Sequence, residues 1–217
     1  MEHKLETNKI FHGDCIKIMK RFPNNSIDLI ITDPPYGDNI AYGWNNKTIK
    51  NNQTPLINCQ ALIECYRVLR RNKSLYLFTN WKHYPFLTEF ILRYTKFKIR
   101  HLIVWKKHNF GLGWAFRHQY ELILVLEKGK PKYHLTNFSD VQNASHINHN
   151  KKNHPHEKPM DLIQKIIEHS SQKGQLILDP FSGSGAICKS ASITNRKFIG
   201  IELEKKWFEL TKKRIKN

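Results

Sequence analysis

Short apolar segments alternate with amphipathic segments along most of the chain, and this alternation constrains the fold more than any other feature. Runs of apolar and β-branched residues occur in "SIDLIITD", "SLYLFTN", "KIRHLIVWKK", "YELILVLEKG", "QLILDP" and "KFIGIE". Segments with apolar residues at helical spacing, such as "CQALIECYRVLRR" and "KPMDLIQKIIEHSSQKG", separate most of these runs. Strands that alternate with helices form a parallel sheet covered on both faces. We therefore predict an α/β fold with a doubly wound, mostly parallel sheet.

The chain length predicts a single domain. Its 217 residues, 40% of them hydrophobic, suffice for one compact domain with a substantial core. Two polar segments interrupt the alternation, residues 37–55 and residues 130–155. Because long loops in compact domains are usually functional or mobile, both segments are candidates for contacts with a ligand or partner.

The charge balance points to a polyanionic partner. Lys and Arg number 36 against 18 Asp and Glu, a formal net charge of +18. Such a surface suggests nucleic acid first and an anionic membrane second, whereas a lysine-rich surface that only aids solubility is the alternative. The chain has no apolar run long enough to cross a bilayer and no secretory signal at its start. Its four cysteines contain no Cys-x-x-Cys pair, so we expect reduced thiols in a cytoplasmic protein.

The stretch "LILDPFSGSGA" has the pattern of a strand, an acid, a glycine turn and a helix. In doubly wound sheets, ligands bind beyond the carboxyl ends of the strands, and Gly183 and Gly185 would allow a close backbone approach. Glu202 ends the next strand, 23 positions after Asp179, where an acid can hold ribose hydroxyls. The third glycine of a dinucleotide fingerprint is replaced by Cys188. The pattern favours a nucleoside ligand over a tight turn with a capping acid.

The stretch "LIITDPPYGDN" ends a second strand with an acid and two prolines. Proline cannot continue a strand ladder, so the chain bends here and fixes Asp33 and Tyr36 on either side. A carboxylate and a backbone carbonyl are two acceptors for an amino group with two hydrogens, and a tyrosine face suits a flat ring. The stretch is therefore either a plain loop or a site for a nucleobase with an exocyclic amine.

In this order, the two stretches resemble the S-adenosylmethionine-dependent DNA amino-methyltransferases of the permuted class called beta. Supporting pieces are "HGDCIKIM", "RHQYELILVLEKGKP", "HPHEKP" and "FIGIELEKKWFELTKKRI", so the resemblance covers nearly the whole chain. It implies one catalytic domain over residues 1–217 with a Rossmann-like methyltransferase sheet. This sheet would be mostly parallel, with an antiparallel final strand and helices on both faces.

The resemblance also assigns the site residues, with S-adenosyl-L-methionine as the cofactor. Asp14 would hold the adenine amine of the cofactor, Glu202 the ribose hydroxyls, and Lys158 the cofactor carboxylate. The implied catalytic residues are Asp33, Pro34, Pro35 and Tyr36. The implied cofactor-binding residues are Asp14, Cys15, Asp33, Lys158, Asp179, Pro180, Phe181, Ser182, Gly183, Ser184, Gly185 and Glu202.

The implied reaction transfers a methyl group to the amine of a base that has left the duplex. Asp33 and the Pro34 carbonyl would accept the two amine hydrogens, and Tyr36 would stack on the base. A leading aspartate favours adenine N6, and cytosine N4 is the runner-up. A catalytically inactive nucleic-acid-binding protein, or methylation of RNA or a protein amide, are the further alternatives. We expect no metal, since His146, His149, His154 and His156 lie among Asn and Lys without a helical pair.

The expected partner is double-stranded DNA, with or without a cognate restriction enzyme, and the expected oligomer is a monomer or homodimer. Residues 130–155 are the candidate target-recognition insert, because their Asn, Gln and Lys side chains can read base edges and phosphates. A polar linker that contacts nothing is the alternative. Residues 37–55 are the candidate mobile loop that closes over the flipped base.

Overall fold

The computed structural model describes residues 5–35, 56–111, 115–144 and 158–216, and for Leu56 only the backbone. Tyr36, residues 37–55 and residues 145–155 therefore lie outside the described residues, as do the four histidines considered as metal ligands. Within the described part, the strands are β1 (Lys9–His12), β2 (Leu29–Thr32), β3 (Lys73–Thr79), β4 (Lys98–Lys106), β5 (Tyr120–Lys128), β6 (Val141–Asn143), β7 (Leu176–Asp179) and β8 (Lys197–Glu202). The helices are α1 (Cys15–Met19), α2 (Leu56–Val68), α3 (Tyr84–Tyr94), α4 (Met160–Ser170), α5 (Ala186–Ile193) and α6 (Lys205–Lys216).

The eight strands form one sheet in the order β1-β8-β7-β2-β3-β5-β4-β6. Strand β5 runs antiparallel to both of its neighbours, and the other pairs are parallel. This confirms the mostly parallel, doubly wound sheet. The short strands β1 and β6 were not predicted, because each has only three or four residues and lacks a continuous apolar run.

The expectation of an antiparallel final strand is wrong. The last strand, β8, is parallel to β1 and β7, because the chain crosses over through α5 between β7 and β8. The antiparallel strand is β5, which lies inside the sheet between β3 and β4. The described part of the connection from β4 to β5 contains no helix, so the chain turns back directly and β5 must run in the opposite direction.

Helices cover both faces of the sheet, as the alternation predicted. Residues of α1, α2 and α3 pack into one hydrophobic core, and residues of α4 and α5 pack into a second core on the opposite face. The apolar stripe of α4 is fully enclosed, since Leu162, Ile163, Ile166 and Ile167 are at most 1% exposed. Burial of each such side chain contributes roughly 1.5–3 kcal/mol, so the two cores fix the sheet on which the site is built.

All four cysteines are buried free thiols, and Cys15, Cys65 and Cys188 belong to these cores. Burial raises the pKa of Cys15 to about 12, and it also raises the pKa values of the other three thiols above their ordinary range. The thiols are therefore protonated at neutral pH and behave as small apolar side chains. Among the described residues, no helix has the length and apolar character needed to cross a membrane.

The first part of the 130–155 segment is packed on the domain. The Tyr133 hydroxyl donates to Glu127 Oε1 at 2.9 Å. The rings of Tyr133 and Phe138 each stack with the ring of His169 in α4, with centroid distances of 4.8 and 4.5 Å. Strand β6 then pairs with the end of β4. Residues 130–144 therefore do not form the contact-free linker that was the alternative reading.

Candidate active site

The strand order reverses direction at the pair β7–β2, and the two sequence motifs follow these two strands. Leu29 pairs with Ile177 and Ile30 with Leu178, so the carboxyl ends of β2 and β7 lie side by side. Asp33 follows β2 and Asp179 ends β7. In open α/β sheets a crevice for ligands forms at such a switch point. The structure thus brings the two motifs to one edge of the sheet.

Asp179 is the most deeply buried acid of this edge. It is 1% exposed, and its Oδ1 accepts a hydrogen bond from the Phe181 backbone N–H at 3.2 Å. Burial raises the pKa of Asp179 well above its ordinary value, and the nearby carboxylates of Asp33 and Glu202 raise it further. A buried acid surrounded by other acids favours a ligand with positive charge.

Glu202, at the end of β8, is held by backbone groups. Its Oε2 accepts from Gly183 N–H and its Oε1 from Glu204 N–H, both at 2.8 Å. Burial still raises the pKa of Glu202 above its ordinary value. Because a carboxylate oxygen can accept more than one hydrogen bond, a side chain held in this way can also accept from hydroxyl groups of a ligand.

The glycine turn is fixed by α6 as well as by β8. Gly183 and Gly185 have φ values of 47° and 77°, in the left-handed region that glycine adopts without strain. A Cβ at Gly185 would lie 2.6 Å from Thr211 Cγ2, so the missing side chain makes room for α6. The Thr211 hydroxyl also donates to the Gly183 carbonyl at 2.7 Å. Gly185 is thus required for helix packing, and the close backbone approach to a ligand stays a prediction.

Asp14 and Cys15 lie at the start of α1, beside the end of β8. The Gly13 N–H donates to the Glu202 carbonyl at 2.8 Å, which places the β1–α1 turn against Glu202. Asp14 caps α1 by accepting from the Lys17 N–H at 2.9 Å. Cys15 points into the core. Asp14 and Cys15 therefore lie at the same end of the crevice as Glu202 and the glycine turn.

The Asp-Pro-Pro bend forms the other end. Pro34 is buried, and the Pro35 carbonyl accepts from Asn58 Nδ2 at 3.0 Å. Asn58 lies on α2 and is itself 3% exposed, so α2 fixes the backbone after the bend. Sequence reasoning did not single out Asn58, because its helix follows the undescribed segment 37–55 and shows no motif of its own.

Asp33 is paired with a buried lysine. Lys158 Nζ lies 2.8 Å from Asp33 Oδ2 and 3.0 Å from Glu121 Oε2. Glu121 in turn pairs through Oε1 with Lys107 Nζ at 2.6 Å. Burial alone would raise the pKa of Glu121, but Lys158 and Lys107 outweigh it and lower the pKa to about 2. Burial would lower the pKa of Lys158, and the carboxylates of Asp33 and Glu121 outweigh it and raise that pKa.

Lys158 contacts two protein carboxylates, a pairing that the sequence did not predict, and its predicted contact with the cofactor carboxylate stays a prediction. Glu121 and Lys107 were not predicted at all. One signal was available: Glu121 directly precedes the apolar run Leu122–Leu126 of β5, and a buried acid requires a partner. Its partner could not be named from the sequence, because Lys158 is remote along the chain. Within the described residues, no cluster of three or more His, Cys, Asp or Glu could hold a metal ion.

A family model described as DNA methylase, N6_N4_Mtase, matches residues 27–213. The chain belongs to the N6/N4 DNA methylase family. It is 29% identical to the type II methyltransferase M.HpaI of Haemophilus parainfluenzae, with 95% of this chain and 74% of the relative covered. It is 28% identical to the DNA adenine methyltransferase YhdJ of Escherichia coli, with 97% and 83% covered.

Solved structures share the fold of this DNA methylase. The M1.HpyAVI–SAM complex matches with a TM-score of 0.76 at 23% identity, covering 96% of this chain and 99% of the other. The cytosine-N4-specific PvuII DNA methyltransferase matches with a TM-score of 0.82 at 16% identity, covering 97% and 87%. At these identities the likeness shows the fold alone. Family membership confirms the predicted DNA amino-methyltransferase, and the first of these solved neighbours is a complex with S-adenosylmethionine.

Proposed function

We propose that the protein methylates adenine at N6 in double-stranded DNA, at a specific sequence. The observation that carries the proposal is the ion-paired Asp33 carboxylate, which follows β2 directly beside the acidic end of β7. An aspartate leading the Asp-Pro-Pro-Tyr motif favours adenine, and one relative bears the name of a DNA adenine methyltransferase.

Asp33 and the Pro34 carbonyl would accept the two hydrogens of the target amine. The amine of adenine is a poor nucleophile, because its lone pair is delocalised into the ring. Two acceptors in fixed positions favour a more tetrahedral nitrogen whose lone pair is available for attack. The Asp33 carboxylate then stabilises the positive charge that develops on this nitrogen, and such electrostatic stabilisation is often the largest catalytic contribution. Tyr36 is proposed to stack on the base.

The residues at the other end of the crevice fit S-adenosylmethionine. Glu202 retains acceptor positions for two ribose hydroxyls, and Asp14 retains its second oxygen for the adenine amine. Asp179 and Glu202 form no ion pair within the described residues, so a cationic ligand relieves the penalty of burying them. The proposed remainder of the pocket is Cys15, Lys158, Pro180, Phe181, Ser182, Gly183, Ser184 and Gly185. When bound, the cofactor supplies an electrophilic methyl group on its sulfonium.

The net charge of +18 supports duplex DNA as the partner. Neutralising phosphates releases counterions, so binding should weaken steeply as salt rises. Residues 37–55 are proposed to close over the flipped base, and residues 130–155 to read the sequence. We place the protein in the cytoplasm, as a monomer or homodimer, with or without a cognate restriction enzyme.

Genome-wide mapping of modified bases tests the proposal. The gene would be expressed in a host without its own DNA methylation, beside a matched strain that carries the Asp33→Ala variant. N6-methyladenine at a recurring sequence in the first strain alone is the expected result. N4-methylcytosine at a recurring sequence would reject adenine as the target and support the cytosine-N4 alternative. Absence of both modifications, from a folded protein that binds the cofactor, would favour the inactive nucleic-acid-binding alternative.

A further inference from the structure

Four charged side chains from separate parts of the chain form a line that ends at Asp33. Lys107 follows β4, Glu121 is the second residue of β5, Lys158 precedes α4, and Asp33 follows β2. The successive N–O distances are 2.6, 3.0 and 2.8 Å. The charges alternate from positive to negative along the line, so each inner group lies between two opposite charges.

The line is shielded from solvent, and most strongly at Lys158. The side chain of Lys158 is 6% exposed, and those of Glu121 and Asp33 are 17% exposed. Lys158 Nζ also lies 5.4 Å from the centre of the Phe78 ring, and Lys107 Nζ lies 5.1 Å from the centre of the Trp105 ring. Removing charges from water costs several kcal/mol for each ion. With apolar side chains of similar volume at these positions, a folded protein would often be equally stable. Fold stability alone therefore does not account for the line.

The geometry gives the line a role in aiming Asp33. A lysine has four flexible methylene groups, so a single ion pair with Asp33 would fix neither partner. Glu121 Oε2 lies 3.0 Å from the same ammonium and provides a second ion pair, and Lys107 pairs with the other oxygen of Glu121. The ammonium is thereby fixed, and with it the carboxylate oxygen that it contacts.

We propose that Glu121 and Lys107 are positioning residues for methyl transfer, which act through Lys158 to hold the Asp33 carboxylate in its reactive orientation. This inference rests on the proposed function, in which Asp33 accepts the hydrogens of the target amine. It adds three residues of the line to the machinery that serves Asp33, and Glu121 and Lys107 act on Asp33 through Lys158.

Charge and position predict different results for Glu121→Gln, a change that keeps the size of the side chain. By charge alone, the ion pair of Lys158 with Asp33 persists without Glu121, and kcat at neutral pH stays unchanged. Loss of position instead lowers kcat at every pH, because Lys158 no longer has its second anchor.

Steady-state methylation of an oligonucleotide duplex with the mapped sequence, together with calorimetric titration of S-adenosylmethionine, tests this role. We expect Glu121→Gln to lower kcat by about 10-fold or more, in the range of a lost charged hydrogen bond, with cofactor affinity within about 2-fold. The matched control is Glu127→Gln, since Glu127 is a partly buried acid at the far end of the same strand. It should retain kcat.

Lys107→Met provides a second variant at the more exposed end of the line, 20% exposed at its side chain. If Lys107 acts through Glu121, the double variant with Glu121→Gln should have the kcat of Glu121→Gln alone. A merely structural role predicts additive losses of melting temperature and an unchanged kcat, and that result would overturn the inference. An equal loss of kcat in Glu127→Gln would overturn it too. Failure of the proposed function is distinct, because the wild-type protein itself would then leave adenine unmethylated.

Discussion

The two ends of the crevice hold their carboxylates in different ways. At the end proposed to bind the cofactor (the cofactor end), Asp179 and Glu202 accept hydrogen bonds from backbone N–H groups of the turns after β7 and β8. At the target end, Asp33 and Glu121 are held by lysine side chains from remote segments. Burial raises the pKa values of Asp179 and Glu202 in spite of these hydrogen bonds, whereas Lys158 and Lys107 outweigh burial and lower the pKa of Glu121 to about 2. The cofactor end thus favours a cationic ligand, whereas the target end already contains the ammonium group of Lys158.

The sharpest way to separate the two ends is Asp33→Ala. The proposed mechanism predicts a loss of methyl transfer of about 100- to 1000-fold, the scale for removing one electrostatic contact to a reacting group. Cofactor affinity should change little, because most of the proposed cofactor contacts lie at the other end. A tritiated-methyl transfer assay and calorimetry measure the two quantities. Full activity in the folded variant would refute the mechanism.

Glu202→Ala is the mirror experiment at the cofactor end. Removing a charged acceptor typically costs about 1.5–3 kcal/mol, or roughly 10- to 100-fold in affinity. Cofactor binding should weaken by this factor, while kcat at saturating cofactor falls far less than in Asp33→Ala. Titration calorimetry of the folded variant decides the point. Unchanged affinity would remove Glu202 from the cofactor site.

Replacing residues 145–153 by a Gly-Ser linker of equal length leaves both ends intact and tests the recognition role. The packed part of the insert, residues 130–144, is retained, so β6 keeps its pairing with β4. We expect cofactor affinity to persist and discrimination against a single mismatched base pair to fall by about 10-fold, near the usual value of one such contact. Competition between cognate and altered duplexes measures this. Equal selectivity would place sequence recognition elsewhere.

The smallest expected effect is a pH-dependent change in stability. Because the native pKa of Asp179 is raised, the unfolded chain releases this proton first as the pH rises above the ordinary value. Stability is therefore lost above that value, and Asp179→Asn removes the loss. We expect the variant to melt a few degrees higher than the wild type at pH 8 and equally near pH 4, for a change of about 1 kcal/mol.

The same melting curves on Glu121→Gln should give the opposite sign at neutral pH. The depressed pKa of Glu121 means that its ionised form stabilises the native state, and this contribution disappears as the pH falls toward 2. Melting shifts of the same sign in both variants would show that the two ends do not differ as described.

This contrast also explains what the sequence could predict. Asp179, Gly183 and Glu202 could be identified as site candidates, because they occur in a local pattern of strand, turn and helix. The helices on both faces were predicted for the same reason, since periodicity is local. Asp33 could be identified because two prolines follow it. The pairing of Asp33 with Lys158, and of Lys158 with Glu121, could not be predicted, because these residues are remote along the chain and come together only in the folded sheet.

The direction of β5 shows the same limit in the backbone. Because β5 is antiparallel, the beginning of this strand, and with it Glu121, lies at the edge where the other strands end. A search for acids that follow strands therefore passes over it. The packing role of Gly185 was not predicted for a related reason, since Thr211 of α6 lies 26 positions away along the chain and occupies the space where a Cβ would lie.

The four buried thiols make the protein its own probe of local opening. Alkylating reagents attack only an exposed thiolate, and here both exposure and ionisation are suppressed. Labelling of each cysteine must therefore await a fluctuation of the helix that carries it: α1 for Cys15, α2 for Cys59 and Cys65, and α5 for Cys188. Rates of alkylation, resolved by mass spectrometry, would rank the opening free energies of three helices without any engineered label. If S-adenosylmethionine slows the alkylation of Cys15 and Cys188 more than that of Cys59 and Cys65, the ligand stabilises α1 and α5 against opening more than it stabilises α2.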